Sequence, residues 1–366
     1  MAKTDYYNPS RLLSHNAIYS IVFGMRSNGK TYSFTKLIID NYVKTGKQGA
    51  IIRRMDEDIR PKRISRVFAP FYEATSYIKK ITKGEYNSIY HKGNAFYLAS
   101  VNERGGRVTD PVPFCYVFSL SAMEHDKSTS YPNVTSIFFD EFVTRFSYLP
   151  DEFVLFQNVI STIRRDRKDV KIYMAANASS KYACPYWQEM GLKHVRDMKP
   201  GDIDVYTYGD SPMTVAIEYA EPRDVKATGD DMYYAFDNPR LKSITDGSWD
   251  LLIYPRLPEK YTKDDIRYIY FIQHLGVTLQ CEVITKEGGA YTYIHHKTTP
   301  ISDEDNDLVY TRTPSIRHNY RRDILHSADN RGRAIASFFT KGKVFYQSND
   351  VGEVVNDYLQ QCRLLA

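Results

Sequence analysis

Short runs of β-branched and aromatic residues alternate with amphipathic stretches over the first 200 residues of the chain. The apolar runs predict strands at 17–23, 50–52, 114–120, 134–140 and 170–176, with a hairpin over 88–100. Apolar residues at helical spacing predict helices at 31–43 and 152–164, and a basic helical stretch over 56–79 that Pro61 and Pro70 interrupt. Strands that are apolar on both faces and alternate with helices indicate an α/β fold, with a mostly parallel sheet covered on two sides.

The pattern changes after residue 200. Residues 201–231 are rich in Gly, Pro and Asp around one apolar run at 214–219, which is typical of a linker or small connecting subdomain. Aromatic and β-branched runs then predict strands at 268–272, 277–284, 290–295, 308–311 and 343–347, and an amphipathic helix over 351–365. We therefore predict a first domain over 1–200, a connecting segment over 201–232 and a smaller α/β domain over 233–366.

The sequence Gly24-Met25-Arg26-Ser27-Asn28-Gly29-Lys30-Thr31 follows the first strand and opens the first long helix. This G-x-x-x-x-G-K-[ST] pattern is typical of a phosphate loop, whose glycines let backbone N–H groups turn toward phosphates at a helix N-terminus. In such loops the Lys reaches the β and γ phosphates, and the Thr hydroxyl ligates Mg²⁺. The sequence therefore predicts a site for ATP and Mg²⁺ that involves Gly24, Arg26, Ser27, Asn28, Gly29, Lys30 and Thr31.

Two carboxylates end the apolar run at 134–140, which reads V-T-S-I-F-F-D and is followed by Glu141. Because the carboxyl ends of parallel strands share one edge of the sheet, we expect Asp140 to lie near Thr31 and to hold Mg²⁺. Glu141 beside it is expected to polarise the attacking water as a general base. Without a phosphate loop, a capping or turn pair would be the alternative for two adjacent acids. The run 114–120 is interpreted as a strand inserted between the two motifs.

Composition and charge narrow the picture further. The chain has 366 residues, four widely separated cysteines without metal-ligand spacing, and no apolar run near the ~20 residues that cross a bilayer. With an N-terminus unlike a signal peptide, these features predict no membrane partner and reduced thiols. The first 200 residues carry 30 Lys and Arg against 19 Asp and Glu, whereas the remainder carries 19 against 25. A basic first half favours a polyanionic partner, although such asymmetry also arises by chance.

Further segments accompany the phosphate loop and Asp140-Glu141. They are Lys127-Ser-Thr-Ser-Tyr-Pro-Asn-Val134, Arg164-Arg165-Asp166-Arg167 and Lys171-Ile-Tyr-Met-Ala-Ala-Asn177. In these features the chain resembles the DNA-packaging motor ATPases of φ29-like tailed phages. Those proteins are relatives of the large terminase subunits and resemble the additional-strand catalytic-glutamate P-loop ATPases. The resemblance covers roughly the first 200 residues; beyond them it rests on length and on the order of domains.

The resemblance implies roles for further residues. Asn177 is similar to the residue that senses the γ-phosphate, a strand-terminal turn Asn being the alternative. The group Arg164, Arg165 and Arg167 resembles the source of an arginine finger for the neighbouring subunit's ATP, with a solvated helix terminus as the alternative. We favour Arg165, and the sequence leaves the choice among the three open. Lys127 is similar to a second cation that acts on the neighbour.

Moving DNA of any sequence requires phosphate contacts from Lys and Arg. Two basic segments qualify as DNA-binding candidates, with an ordinary solvated charged surface as the alternative for each. The first contains Arg60, Lys62, Arg63 and Arg66, and the second is a loop with two glycines that contains Arg104 and Arg107.

For the second domain, the relationship to large terminases implies an RNase H-like fold. A nuclease of that fold needs a cluster of carboxylates that binds two metal ions. The candidate first strand has Gln273 and His274 where an acid is needed, and Glu282 and Asp357 are too scattered to form a cluster. We therefore expect a degenerate nuclease domain without cleavage activity.

These expectations together describe an ATP-driven translocase of double-stranded DNA that packages the viral genome into a procapsid in the host cytoplasm. The resemblance implies a homo-oligomeric ring, pentameric in this family, on the portal of the procapsid. A structural packaging RNA can bridge ring and portal in this family, and the sequence leaves open whether this chain uses one. The alternatives are a large terminase with an active nuclease, a non-enzymatic portal- or nucleic-acid-docking protein, and a general helicase.

Overall fold

The computed structural model describes residues 6–25, 28–122, 129–144, 148–177, 184–221 and 254–363. These residues form two units. The first contains the described residues up to 177 together with 197–221, and the second contains 184–196 and 254–363. Within these ranges, the helices all lack the combination of length and apolar content that spanning a membrane requires.

The first unit combines strands and helices in alternation. Its strands are β1 Tyr19–Gly24, β2 Gln48–Arg53, β3 Ser88–Lys92, β4 Ala95–Val101, β5 Arg107–Thr109, β6 Cys115–Ser119, β7 Val134–Asp140, β8 Lys171–Asn177, β9 Ile203–Thr207 and β10 Thr214–Tyr219. Its helices are α1 Ser10–Leu13, α2 Lys30–Thr45, α3 Asp56–Ile59, α4 Pro61–Ile64, α5 Tyr77–Ile81 and α6 Glu152–Arg164, with a 3₁₀ helix over Ser65–Phe71. The predicted break at Pro61 is confirmed, because the residue before the proline, Arg60, is extended with φ −57° and ψ 142°.

The strands of the first unit form one sheet in the order β3-β4-β6-β2-β7-β8-β1-β10-β9, with β5 paired to β4. The pairs from β6 through β10 are parallel, and the hairpin strands β3, β4 and β5 and the edge strand β9 run antiparallel to their neighbours. The predicted mostly parallel α/β sheet is confirmed. Since parallel strands end at one edge, the ends of β1, β2, β7 and β8 converge there.

Both faces of this sheet are covered by helices. Successive residues of a strand point to opposite faces, and β7 shows this directly. Phe138 packs on Phe34 of α2 with ring centroids 5.3 Å apart, whereas Phe139 packs on Phe156 of α6 at 5.1 Å. The two helices therefore lie on opposite faces of the strand that carries Asp140.

The segment that we predicted as a connection over 201–232 belongs in part to the first sheet. β10 pairs in parallel with β1, and β9 pairs with β10. The reason is apolar burial, because Val215, Ala216 and Ile217 are all within 2 % of full burial. In contrast, residues 184–196, which the sequence placed in the first domain, belong to the second unit.

The second unit contains α7 Pro185–Glu189, β11 Ile266–His274, β12 Val277–Lys286, β13 Gly289–His296, β14 Val309–Thr311, β15 Tyr320–Arg321, α8 Asn330–Thr340, β16 Val344–Tyr346 and α9 Asn349–Arg363, with a 3₁₀ turn at Lys263–Asp265. Its sheet has the order β15-β14-β11-β12-β13-β16. β11, β12 and β13 form an antiparallel meander, and the strands at both sides of the meander are added in parallel. The RNase H-like fold that the resemblance implies for this unit stays a prediction.

We predict that Gly49→Ala destabilises the first unit, because a Cβ on this β2 residue would lie 2.4 Å from Cγ2 of Ile38 on α2. The added methyl has no room, and overpacking of this kind costs about 1–3 kcal/mol. Thermal and chemical denaturation of the full chain measure the change. Gly288→Ala is the matched control because its Cβ would meet open space, and an equal loss of stability in both variants would contradict the prediction.

Candidate functional site

The phosphate loop connects β1 to α2 at the carboxyl edge of the first sheet. Gly29 is the residue before α2 and has a left-handed backbone, with φ 92°. A Cβ at this position would lie 2.7 Å from the ring of Tyr6. Both the conformation and the close approach therefore require glycine. The N-terminus of α2, with its unpaired N–H groups, opens directly at Lys30.

The residues before β1 hold the loop from outside. The backbone N–H of Tyr7 donates to the carbonyl of Asn28 at 2.7 Å, and the hydroxyl of Ser33 donates to the carbonyl of Tyr7. The Tyr7 hydroxyl donates to Glu218 on β10 at 2.6 Å. Burial and the neighbouring Glu218 carboxylate raise the pKa of Tyr7, so its proton stays in place. This segment fixes the main chain of the loop.

Lys30 is buried in the loop that it belongs to. Its Nζ donates to the carbonyls of Gly24 at 3.1 Å and Met25 at 2.6 Å, and to Oδ1 of Asn28 at 3.2 Å. Burial lowers the pKa of Lys30 to about 8, and the charge of Asp140 opposes that shift. In the part of the chain that the structure describes, Nδ2 of Asn28 is buried without a partner. A buried ammonium and an unused N–H donor at a helix N-terminus favour an anionic ligand.

The predicted pairing of the two motifs is present in the geometry. The Thr31 hydroxyl donates to Oδ1 of Asp140 at 2.9 Å, and Asp140 is only 3 % exposed at the end of β7. A hydroxyl and a carboxylate oxygen are the ligands that Mg²⁺ prefers. The side chains present therefore fit a magnesium ion between phosphates and Asp140.

Arg53, a residue that our sequence reasoning missed, holds both predicted carboxylates. It ends β2, and its guanidinium lies 2.7 Å from Oδ2 of Asp140 and 3.1 Å from Oε2 of Glu141. Glu141 has a positive φ of 59° and its side chain is 67 % exposed. The signal was available, since a charged residue directly after the buried run 50–52 must lie at the same sheet edge as Asp140.

Asn177 also reaches the phosphate loop. It ends β8, which pairs with both β7 and β1, and it lies in register with Gly24. A cleft of about 370 Å³ is lined by Asn28, Gly29, Lys30, Thr31 and Asn177, and by Tyr6, Tyr32, Pro70, Ala74 and Thr75.

The strand that separates β1 from β7 in the sheet is β8. The run 114–120, which we interpreted as the inserted strand, is β6 and lies beyond β2, because insertion along the sequence does not fix the position in the sheet.

The three candidate finger arginines differ in their surroundings. Arg167 is half-buried and donates to the carbonyls of Tyr131, Pro132, Val134 and Ile163. Nε of Arg164 donates to the carbonyl of Arg167 at 2.7 Å. Arg165 is exposed, has a positive φ of 47°, and donates to the carbonyl of Thr129 at 3.2 Å. Two of the three side chains are thus engaged in holding the fold, whereas Arg165 extends to the surface.

Three predicted site residues, Arg26, Ser27 and Lys127, lie outside the described residues.

The first group of DNA-binding candidates is exposed, and its arginines have acidic neighbours: Arg60 pairs with Glu57, Arg63 with Asp58 and Arg66 with Glu73. Lys62 is exposed nearby. In the second group both arginines are exposed: Arg104 lies between β4 and β5, and Arg107 is the first residue of β5 and stacks over the ring of Tyr90 at 3.6 Å.

The two acids considered as nuclease candidates, Glu282 and Asp357, lie on opposite faces of the second sheet. Glu282 on β12 accepts hydrogen bonds from Tyr261, Gln280 and His295. Asp357 on α9 pairs with His274 at 2.6 Å on the face that α9 covers. Cys281 and Val283 point to that same face, so Glu282 between them points away. Among the described residues, there is no group of three or more His, Cys, Asp or Glu side chains placed to hold a metal ion.

A parallel α/β sheet with a phosphate loop after its first strand, and an acidic pair two strands away at the same edge, defines a P-loop protein. Residues 1–199 match the family described as Podovirus DNA encapsidation protein (Gp16). That match covers more than half of the chain, which therefore belongs to the Podovirus DNA encapsidation protein family.

Individual relatives agree with the family. The chain is 24% identical over 376 residues to the DNA packaging protein of Bacillus phage phi29, and the match covers 100% of both chains. It is 29% identical over 184 residues to the DNA packaging protein of Bacillus phage B103, covering 50% of each. The solved structure of the bacteriophage Phi-29 viral genome packaging motor assembly contains a similar fold. The TM-score is 0.58 at 21% identity, over 98% of this chain and 100% of the other.

We predict that substitution of Arg167 lowers stability much more than substitution of Arg165. Arg167→Ala removes the donor of four backbone carbonyls, and losing bonds to a half-buried charged donor lowers the free energy of unfolding by about 1–3 kcal/mol. Arg165→Ala removes an exposed side chain, so the change stays within about 0.5 kcal/mol. Chemical denaturation of both variants measures the difference, and a larger loss for Arg165→Ala would refute this assignment.

Proposed function

We propose that this chain is an ATP-driven motor that moves double-stranded DNA into a viral procapsid in the host cytoplasm. The observation that carries the proposal is the contact of Thr31 with Asp140 beside a buried Lys30. Membership in the DNA encapsidation family supplies the biological setting. The relatives from phages phi29 and B103 are both DNA packaging proteins.

ATP and Mg²⁺ are the proposed cofactors, and Mg²⁺ when bound would neutralise charge on the phosphates. The backbone of Gly24–Thr31 and Lys30 would hold the phosphates, with Thr31 and Asp140 as the protein ligands of the metal. Lys30 now donates to oxygens of its own loop. Phosphate oxygens can take the place of these acceptors, so the ammonium remains hydrogen-bonded when the triphosphate binds.

Arg53 pairs with both carboxylates in the present geometry and engages one oxygen of Glu141. Glu141 would act as the general base by accepting a proton from the attacking water. That water forms the new bond to the γ-phosphorus as the bond to the β-phosphate oxygen breaks. Asn177, which is in register with Gly24, is the proposed sensor of the γ-phosphate.

The proposal includes a homo-oligomeric ring, pentameric as the resemblance implies, that is seated on the portal of the procapsid. Arg165 would complete the site of the neighbouring subunit, since its side chain is the exposed member of its group and an arginine presents a planar fork to phosphate. Lys127 would be a second cation that acts on the site of the neighbouring subunit. Packaging assays with and without added structural RNA decide whether an RNA bridge belongs to this motor.

A nuclease is not part of the proposal. Glu282 and Asp357 point to opposite faces of the second sheet and are both hydrogen-bonded to protein partners. Two-metal catalysis needs carboxylates that share ions ≈ 3.5–4 Å apart. We therefore interpret the second unit as a degenerate nuclease domain. Metal-dependent nicking of plasmid DNA that is lost in Glu282→Gln would argue instead for a large terminase with active nuclease.

We predict that Glu141→Gln keeps ATP binding but reduces hydrolysis about 10²–10⁴-fold, because the amide cannot act as a general base. Lys30→Ala is expected to lose binding itself. Binding is measured by calorimetry, and turnover and ATP-dependent protection of DNA from nuclease are measured with purified procapsids. Turnover that persists in Glu141→Gln would show that Glu141 is not the general base, and a wild-type chain without turnover would favour a non-enzymatic docking protein. Strand separation without procapsids would favour a helicase.

DNA contacts are predicted at the β4–β5 hairpin, where Arg104 lies in the loop and Arg107 begins β5, rather than at the first basic segment. Arg104→Ala and Arg107→Ala should each reduce the slope of log affinity against log salt by roughly 0.9, the value for one phosphate contact. Arg63→Ala is the control, because Arg63 already pairs with Asp58. Equal effects of all three substitutions, or no effect of the hairpin variants, would argue against this placement.

A further inference from the structure

We infer that the buried pair of Arg54 and Glu152 is a positioning device. It couples the carboxylates of a subunit's own site to the arginine that the same subunit offers its neighbour. The inference rests on the proposed function, in which Glu141 acts in its own subunit and Arg165 acts on the next. It concerns residues that bind neither nucleotide nor DNA in that proposal.

The pair is buried and bidentate. Nε of Arg54 lies 2.7 Å from Oε2 of Glu152, and its Nη2 lies 2.9 Å from Oε1. The side chain of Glu152 is 1 % exposed and that of Arg54 is 10 % exposed. The backbone N–H of Leu149 also donates to Oε2 of Glu152. Two parallel hydrogen bonds between planar groups fix direction as well as distance.

The same guanidinium is hydrogen-bonded to the main chain that follows Asp140. Nη1 of Arg54 donates to the carbonyl of Glu141 at 3.2 Å, and Nη2 donates to the carbonyl of Phe142 at 2.6 Å. Glu141 has a positive φ, which a non-glycine residue keeps only where the surroundings hold it. Arg54 therefore joins the backbone of the proposed general base to the first turn of α6.

The far end of α6 is fixed to the other end of β7. Arg167, just past the helix, donates to the carbonyl of Val134, the first residue of β7, at 2.6 Å. It also donates to the carbonyl of Ile163 in the last turn of α6 at 3.0 Å. The 13 residues of α6 span roughly 20 Å and the 7 residues of β7 roughly 23 Å, so helix and strand match in length.

Arg165 lies in the short segment between the end of α6 and Arg167. It directly follows the last helical residue and precedes Arg167 by two residues. A displacement of the Glu141 main chain therefore moves Arg54, then Glu152, and with Glu152 the helix that Arg165 directly follows. The two ends of β7 thus determine the positions of two residues: Glu141 in the subunit's own site and Arg165, which the subunit offers to its neighbour.

Stability does not explain why this pair is charged. Buried ion pairs are often replaced by apolar side chains of similar volume without loss of stability. The charged pair adds directional hydrogen bonds that connect the carbonyls of Glu141 and Phe142 to the first turn of α6. The pair is therefore expected to matter more for coordination between subunits than for folding.

The test uses rings mixed from two inactive variants on procapsids. Arg165→Ala subunits keep an intact site but lack the finger, and Lys30→Ala subunits keep the finger but lack the site. Active sites then form only where an Arg165→Ala subunit receives the finger of a Lys30→Ala neighbour. The charge-free double substitution Arg54→Met with Glu152→Leu is placed on one partner at a time, and Asp58→Asn, an exposed member of a surface ion pair, serves as the control.

We expect the double substitution to reduce ATP turnover of the mixed rings at least about 10-fold from either partner, with the KM for ATP unchanged. Loss only from the partner with the intact site would show that the pair acts on Glu141 alone and would overturn the coupling. Unchanged turnover from both positions would overturn it entirely. Mixed rings without activity before any change at Arg54 and Glu152 would instead refute the shared site on which the inference rests.

Folding is controlled separately. Glu152→Gln leaves the charge of Arg54 buried without its partner, so this single variant is expected to melt at a lower temperature than the double variant. ATP binding to the isolated chain reports on the phosphate loop, which contains neither Arg54 nor Glu152. A double variant that melts like the wild type and binds ATP normally, yet loses turnover from either partner, supports the coupling. A double variant that loses ATP binding would overturn it in favour of a structural role.

Discussion

The carboxylate of Asp140, buried at the end of β7, is the point on which the first unit depends. Thr31 donates to one of its oxygens and Arg53 pairs with the other. A carboxylate that is 3 % exposed carries a large desolvation cost unless such partners satisfy it. The phosphate loop, β2 and β7 are therefore held at one sheet edge by electrostatics as well as by backbone pairing. Because Arg53 pairs with the same carboxylate that would hold Mg²⁺ in the proposed site, the position of Arg53 is connected to ligand binding there.

Much of the first unit was predictable because its signals are local. A buried parallel strand is a short apolar run, and the runs at 134–140 and 152–164 became β7 and α6 with the same bounds. Strand order was less accessible, because it depends on which apolar surfaces meet across long distances in the chain. The position of β6 beyond β2 and the addition of β10 beside β1 are both of this kind. The short elements β5, β15 and α7 carry too few residues to show a period.

The site follows the same division. The phosphate loop and Asp140 were predictable because their residue types at fixed spacing have a chemical reason, and the structure places Thr31 against Asp140. Arg53 was missed although the same rule about strand ends applies to β2. Arg54 and Glu152 were not accessible from sequence, since nothing local distinguishes a buried ion pair from two surface charges. The choice among Arg164, Arg165 and Arg167 depended on carbonyl partners that only the fold brings together.

The hydrogen bonds of Arg167 to the start of β7 have a consequence for the proposed assembly of subunits into a ring. The turn that carries Arg165 is already fixed within a single folded subunit. In the proposed ring, little backbone freedom would therefore be lost in this turn when two subunits meet. Its conformational entropy would be lost during folding rather than during association. The proposed interface could then be weak and reversible in the free protein and still be geometrically specific once the subunits assemble.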